Sequence, residues 1–533
     1  MKKIQKLFSL TGLFILLSYS ARSFEGNEKE KLKAFMIDAP RTIETIDYYF
    51  RLIDFLHEKK FNAIIFRLTD DQGSAYLFTS HPELKMCEGA FTQKELRSLV
   101  EYAQSKSIEM IPEIESFGHS QYITQTKRYQ FLDDSPPGVE YNALCPVNDT
   151  TLALMKDLYT EVAPVFSSEY FHIGCDEVNW GGSQMSKQAL KSKSKQEIWA
   201  EYVNKLNGYI KSLGKKTIIW GDVPIYNQSE IFNLLNKDIV ITDWNYSETN
   251  KMRIDSIARA AIGKGFKVMG CPAVNWCKWG PRINGSQFDN INAYSAVYLN
   301  LDDSNNLGII ISNWIPKRYL QNSQWDAYSI AAEIVKNKGD YKYMDALPAF
   351  VKDHFGAAWD ANWEEVYKTI YKNTPQWKCG ENDSLKFVPW HSEQQIKFIT
   401  GNNKRLQNPN EKIIDLLLKC RSGVTKNIND FNDLLLTVEF ISYSYNRQNG
   451  LTAFAESGKT DIKSVNEYIR KVALEDEAMI KKLDAAWSVG RRSKPKDTDE
   501  DYLWSFHKAS GYSKYLSEHP AELIKILSER KNK

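Results

Sequence analysis

Histidine is scarce in this 533-residue chain, at eight residues, and its seven cysteines (Cys87, Cys145, Cys175, Cys271, Cys277, Cys379 and Cys420) form no C-x-x-C pair. Zinc sites of regular Cys/His spacing and dithiol redox motifs are thereby excluded, and no metal or cofactor is expected. An odd, scattered set of cysteines leaves room for one or two disulfides, with their pairing open, but a chain this long needs no disulfide framework. Charge of one sign is also lacking: 69 Lys plus Arg face 67 Asp plus Glu, a formal net charge of +2. That balance provides no electrostatic case for nucleic acid or an anionic membrane surface. Beyond the first residues no apolar run is long enough to cross a bilayer as a helix, so stable membrane insertion is not expected. No glycine-rich phosphate turn follows the first apolar run, where Ala39-Pro40-Arg41 stands instead. A doubly wound nucleotide-binding sheet is disfavoured accordingly. Oligomeric state is left open.

Aromatic residues are abundant, with 14 Trp, 28 Tyr and 25 Phe making 13% of the chain. Rings of this kind fill large cores, and they also stack on the C–H faces of sugars. At the start, Lys2, Lys3 and Lys6 precede an apolar stretch from Leu7 to Leu17, and Ala21-Arg22-Ser23 follows with small residues. The pattern predicts a signal peptide over residues 1–23 and export to the periplasm or beyond the cell.

From about residue 34, short apolar runs alternate with helical periodicities. The runs are Lys33–Asp38, Asn62–Leu68, Ile108–Ile114, Tyr170–Gly174, Lys216–Gly221, Asp238–Trp244, Phe266–Cys271 and Gly308–Trp314. Several are apolar throughout rather than alternating, as in parallel strands covered on both faces. Helical spacing fills Ile43–Lys59, Thr92–Ser105, Thr151–Phe166, Gln196–Leu213 and Trp325–Lys336, and Thr92…Glu95 has the form of a capping box. Eight such units predict an α/β fold, a (β/α)8 TIM barrel over residues 24–345. Strand signals then fade, and long periodicities at Asn429–Tyr445 and Ile462–Trp487 predict an all-helical C-terminal region over 346–533. Within it, the basic run Arg491–Lys496 reads as a solvated linker.

Barrels of this class carry their chemistry at the C-terminal ends of the strands. Those ends gather acids and tryptophans: Asp38 and Arg41, Asp70 and Asp71, Glu113 and Glu115 with His119, His172 with Asp176 and Glu177, Trp220 and Asp222, Asp243 to Tyr246, and Trp314. Carboxyls to protonate a leaving oxygen and rings to hold a sugar are what glycoside hydrolysis requires. An Asp-Glu pair directly after a barrel strand is the most specific of these signals.

The segment His172-Ile173-Gly174-Cys175-Asp176-Glu177-Val178 resembles the active-site signature of family 20 glycoside hydrolases, the β-N-acetylhexosaminidases. Thr69–Gly73, Ile111–Glu115 with Gly118-His119-Ser120, and Asp38…Arg41 match in order and spacing. Cys175, the Trp220-Gly221-Asp222 and Asp243–Tyr246 segments, and the absence of an N-terminal accessory domain resemble the hexosaminidase D-like branch. The resemblance implies substrate-assisted retention on a glycan bearing a terminal N-acetylhexosamine. Glu177 would then be the acid and later the base, and Asp176 would orient the 2-acetamido group. It further implies that Arg41 grips sugar hydroxyls and that Trp220, Trp244 and Trp314 wall and floor the sugar. Tyr246 would donate to the acetamido carbonyl, Asp222 would take a hydroxyl, and His119 would stand at the substrate, with Glu115 and His172 beneath the pair. Asp70 and Asp71 are expected to tie loops together. The chemistry requires a protonated Glu177 beside an ionised Asp176. Ser74 and Ile315-Pro316-Lys317 depart from the family pattern, which leaves GlcNAc against GalNAc preference open. A catalytically inactive glycan-binding barrel is the alternative. A two-carboxylate glycosidase is disfavoured because strand seven ends in Val274-Asn275-Trp276-Cys277, without a carboxylate.

Overall fold

Eight parallel strands close on themselves: β1 Leu32–Asp38, β2 Ala63–Arg67, β3 Glu109–Glu113, β4 Tyr170–His172, β5 Lys216–Trp220, β6 Val240–Trp244, β7 Lys267–Cys271 and β8 Asn306–Asn313. β1 pairs with β2 and also with β8, where Leu32 lies opposite Gly308 and Phe35 opposite Ile311. This computed structural model describes residues 30–139, 142–276, 281–373, 390–402, 405–493 and 502–529. The signal peptide expected at 1–23 lies outside them, as do Cys277, Cys379 and Lys494–Lys496. The five described cysteines are free thiols.

The continuous apolar runs have the physical origin expected of them. Along β2, Ala63 and Ile65 point into the barrel while Ile64 and Phe66 pack outward against the helices. Both alternating faces are thus buried. The outer layer is α1 Ile46–Glu58, α2 Gln93–Ser105, α3 Asp149–Val162, α4 Lys195–Ser212, α5 Lys251–Gly263, α6 Gln287–Tyr298 and α7 Trp325–Lys336. Thr92 and Glu95 form the reciprocal capping box at the start of α2. Between β5 and β6 no full helix forms. The crossover uses a π turn, Val223–Asn227, and a 3-10 turn, Ser229–Asn233.

The helical region comprises α8 Leu347–Phe355, α9 Ala361–Asn373, α10 Glu393–Asn402, α11 Asn410–Cys420, α12 Ile428–Glu456, α13 Ile462–Gly490, α14 Tyr502–Glu518 and α15 Pro520–Glu529. Phe350, Phe355, Trp363 and Phe431 belong to the same apolar cluster as the barrel's outer layer, so the first of these helices extend that core. Arg51 on α1 pairs with Asp430 on α12, which also contacts His354 at 2.7 Å.

The linker expected at Arg491 is not solvated. Arg491 is buried, with its guanidinium over Trp487 and against Glu44 of the barrel at 3.1 Å. A basic run reads as surface only while no buried acid waits for it elsewhere in the chain, and Glu44 is 447 residues away.

Candidate active site

At the C-terminal end of the strands the apolar interior gives way to charge. Arg67, the last residue of β2, is fully buried and donates to four carboxylates: Asp38 (3.1 Å), Asp70 (2.7 Å), Glu113 (3.3 Å) and Glu115 (2.8 Å). Arg41 adds a second cation, paired with Asp38 at 3.1 Å and Asp70 at 2.9 Å. Burial favours the neutral form of Asp70, but Arg41 and Arg67 prevail and hold it well below the usual carboxylate range. Glu113 and Glu115 fare differently. Burial pushes each up to about 7, with Arg67 opposing.

The chain leaves β4 through a run of left-handed backbone: Gly174 (φ 67°), Cys175 (φ 77°) and Glu177 (φ 48°). In an extended strand, neighbouring side chains would point to opposite faces. The reversal brings both Asp176 and Glu177 to the mouth. Left-handed non-glycine residues cost roughly 1–3 kcal/mol each and persist only where neighbours over-determine them. Those neighbours are acids: Cys175 N–H donates to Glu115 Oε2 at 3.3 Å, and Glu177 N–H donates to Asp222 Oδ2 at 2.9 Å. Gly174 is required sterically as well, since a Cβ there would fall 2.0 Å from Glu115 Oε2.

His119, also left-handed at φ 45°, stands beside the pair. Its Nδ1 lies 2.8 Å from Asp71, and its Nε2 lies 3.2 Å from Glu177 and 3.7 Å from Asp176. Burial disfavours the imidazolium, yet Asp176, Asp71 and Glu177 raise it well above the ordinary value. His119, Asp176 and Glu177 present ligand atoms within 4.8 Å of one another, as do Asp70, Asp71 and His119. Both ring nitrogens of His119 are turned to carboxylates.

The protonation order differs from the one the sequence suggested. Hydrogen bonding to His119 lowers Glu177, whose side chain is 58% exposed, while burial and then Glu115 raise Asp176 well above the usual range. The proton therefore favours Asp176. His119, which chain order places far from the pair, is set against Glu177 by the fold, while burial and Glu115 hold the proton on Asp176.

The aromatic floor is layered. Trp314 lies with Arg41 and Arg67 at 5.3 and 5.2 Å from its ring centre, and its Nε1 donates to the Tyr246 hydroxyl at 2.8 Å. Tyr246 stacks on Trp244 at 5.1 Å and contacts Trp276 at 5.6 Å. Trp220 is not at the surface of the mouth. It is fully buried beneath Trp314, its ring tilted against His172 at 4.5 Å, with Nε1 donating to Glu113 at 3.0 Å. His172 is pulled down to about 3 by burial and Arg67, and its Nδ1 accepts the Gly174 N–H at 3.0 Å. Asp222 holds the Glu177 backbone, and burial pushes it up to about 7.

Several buried polar atoms here have no hydrogen-bond partner among the described residues: Glu113 Oε2, Asp176 Oδ1, Asp222 Oδ1, Trp244 Nε1 and Asn275 Oδ1. Buried polar groups are normally paired, so the open atoms on these residues of the barrel end suit a polar partner. Arg67 is the residue that sequence reasoning missed. The available signal was an arginine ending a strand apolar on both faces, where an unpaired charge is not tolerated. A cleft of about 850 Å³ opens at the opposite barrel end, lined by lysines such as Lys33, Lys216 and Lys267 at the strand starts. It contains none of the mouth residues.

A family model described as "Glycosyl hydrolase family 20, catalytic domain" matches residues 31–280. Among curated proteins, the chain is similar to a beta-hexosaminidase of Porphyromonas gingivalis, 26% identical over 217 residues, covering 36% of this chain and 28% of that protein. It is also similar to a beta-hexosaminidase of Vibrio furnissii, 27% identical over 248 residues, 40% of each. The matched stretches thus span less than half of these relatives. A solved beta-N-acetylhexosaminidase shares the fold at a TM-score of 0.50 and 16% identity, over 62% of this chain and 78% of that one.

Proposed function

Because residues 31–280 are a family 20 glycosyl hydrolase catalytic domain, we propose that this chain is an exported, exo-acting β-N-acetylhexosaminidase that releases terminal GlcNAc or GalNAc from glycans with retention. The observation that carries the mechanism is the pairing of Asp176 and Glu177 at the mouth while the strand after β7, Ala273–Asn275, ends in an amide rather than a carboxylate. The nucleophile then comes from the substrate. Its acetamido oxygen attacks C1 as the leaving oxygen departs with the proton of Glu177, and a cyclic oxazolinium forms. Glu177 next removes a proton from water, which opens the ring at C1 with overall retention. Asp176 Oδ1, without a partner among the described residues, accepts the acetamido N–H and stabilises the positive charge that develops there.

Substrate binding also reverses the protonation order. A sugar covering Glu177 removes its water and raises it, and the acetamido N–H given to Asp176 favours the carboxylate there. Export rests on the charged and apolar opening of the sequence, residues 1–23.

The test is a panel of aryl β-glycosides. The N-acetylglucosaminide or N-acetylgalactosaminide should be cleaved and the plain glucoside left intact, and Asp176→Asn should narrow that selectivity along with a heavy loss of rate. Equal hydrolysis of all three would overturn the assignment.

A further inference from the structure

Residues 490–492, at the end of the long helix α13, reach back and bind the barrel beside the mouth. Thr45 N–H donates to Gly490 O and Arg492 N–H to Ile43 O, each at 2.9 Å, so Glu44 and Arg491 form an antiparallel bridge. The Arg491 guanidinium contacts the Glu44 carboxylate at 3.1 Å and donates to the carbonyls of Pro316 (2.6 Å) and Tyr319 (2.7 Å). Glu44 lies three residues beyond Arg41 in the loop after β1, and Pro316 lies two beyond Trp314 in the loop after β8. One buried cation therefore joins the two loops that carry Arg41 and Trp314. Arg492 anchors the segment further, donating to Gly89 O and pairing with Glu95 at 2.8 Å.

The loop after β8 needs such support. Ile315, directly after Trp314, is left-handed at φ 54°, a costly conformation for a β-branched residue. On the inner side Asp38 accepts the Ile315 N–H at 2.9 Å, and on the outer side Arg491 takes the next carbonyls.

We propose that Arg491 is a positioning residue that sets Arg41 and Trp314 for sugar binding, so that the C-terminal helical region completes the substrate site without touching substrate. The inference rests on the hexosaminidase reading for its kinetic readout but not for its structural one. Its chemistry is specific to arginine: a planar fork serves one carboxylate and two carbonyls, which a lysine ammonium cannot match in geometry.

The experiment compares Arg491→Ala, Arg491→Lys and Glu44→Gln with Asp430→Asn, which loosens the same two regions at α1 and α12 away from both loops. On an aryl N-acetylhexosaminide, Arg491→Ala should raise KM about tenfold or more with a smaller change in kcat, the pattern of lost binding rather than lost chemistry. Arg491→Lys should recover part of the loss, Glu44→Gln should shift KM in the same direction, and Asp430→Asn should leave KM unchanged. Deuterium exchange of the same variants should show faster uptake in residues 38–44 and 313–320 for Arg491→Ala, with strands β4 to β6 unaffected. Unchanged KM and unchanged uptake in both loops would overturn the proposal, as would an equal KM shift in Asp430→Asn. If the wild-type chain cleaves no N-acetylhexosaminide, the hexosaminidase reading fails, while the exchange result still decides the role of Arg491.

Discussion

Two buried arginines in this protein keep very different company. In the helical region, Arg447 meets one acid, Asp476, through Nε at 2.8 Å and Nη2 at 3.0 Å, and stacks over Trp390 at 3.7 Å. Its other donors reach the carbonyls of Trp390 and Ala509, and Asp476 also accepts from Tyr443 and Ser513. One cation and one anion are closed off together. At the barrel mouth, Arg67 meets four acids, Arg41 shares two of them, and carboxylate oxygens of Glu113, Asp176 and Asp222 lack partners among the described residues. A satisfied buried pair holds helices in place. An over-acidic one with open oxygens is held ready for something polar to enter.

The contrast breaks most sharply at Glu177. Glu177→Gln should reduce turnover of substrates with poor leaving groups by about 10²–10⁴-fold, the usual worth of a general acid, with thermal stability unchanged because the side chain is exposed. Unaltered turnover would remove Glu177 from its role. Next come the two arginines. Replacing either with Met leaves buried carboxylates uncompensated and should cost about 3–5 kcal/mol of stability in denaturant titrations. In the variants that remain folded, Arg67→Met should also abolish activity, while Arg447→Met should retain the wild-type KM.

The smallest effect concerns pH. On the proposed mechanism Glu177 must be protonated to act, so activity falls as the pair loses its shared proton. In the free enzyme burial holds that proton on Asp176, and kcat/KM reports its loss from there; kcat reports the complex, where sugar has displaced water from Glu177 and the proton stands on it. The alkaline limbs of kcat and kcat/KM should therefore lie at different pH. Coincident limbs would show that the bound sugar does not reset the pair.

Much of the barrel was legible because its strands are buried on both faces and so write unbroken apolar runs. Helix α7 is the clearest case, with its expected and observed limits both Trp325 and Lys336. The helix missing between β5 and β6 left no comparable mark, since Pro224 and the polar run after it are compatible with several turns. At the mouth, Asp176 and Glu177 were readable from one local segment. What could not be read were consequences of long-range approach: Arg67 as a hub for acids up to 48 residues away, Arg491 seated on Glu44, and His119 set against Glu177. Local spacing specifies which groups exist, and packing decides which charges meet.

The central claim is that the attacking atom belongs to the sugar. Aryl N-acetylglucosaminides whose acetyl group carries zero, one, two and three fluorines test it directly, because each fluorine weakens the carbonyl oxygen as a nucleophile while leaving the aryl group unchanged. The account predicts that kcat falls steeply and steadily along the series. A flat series would mean that the amide oxygen does not attack, and the mechanism built on Asp176 and Glu177 would be contradicted.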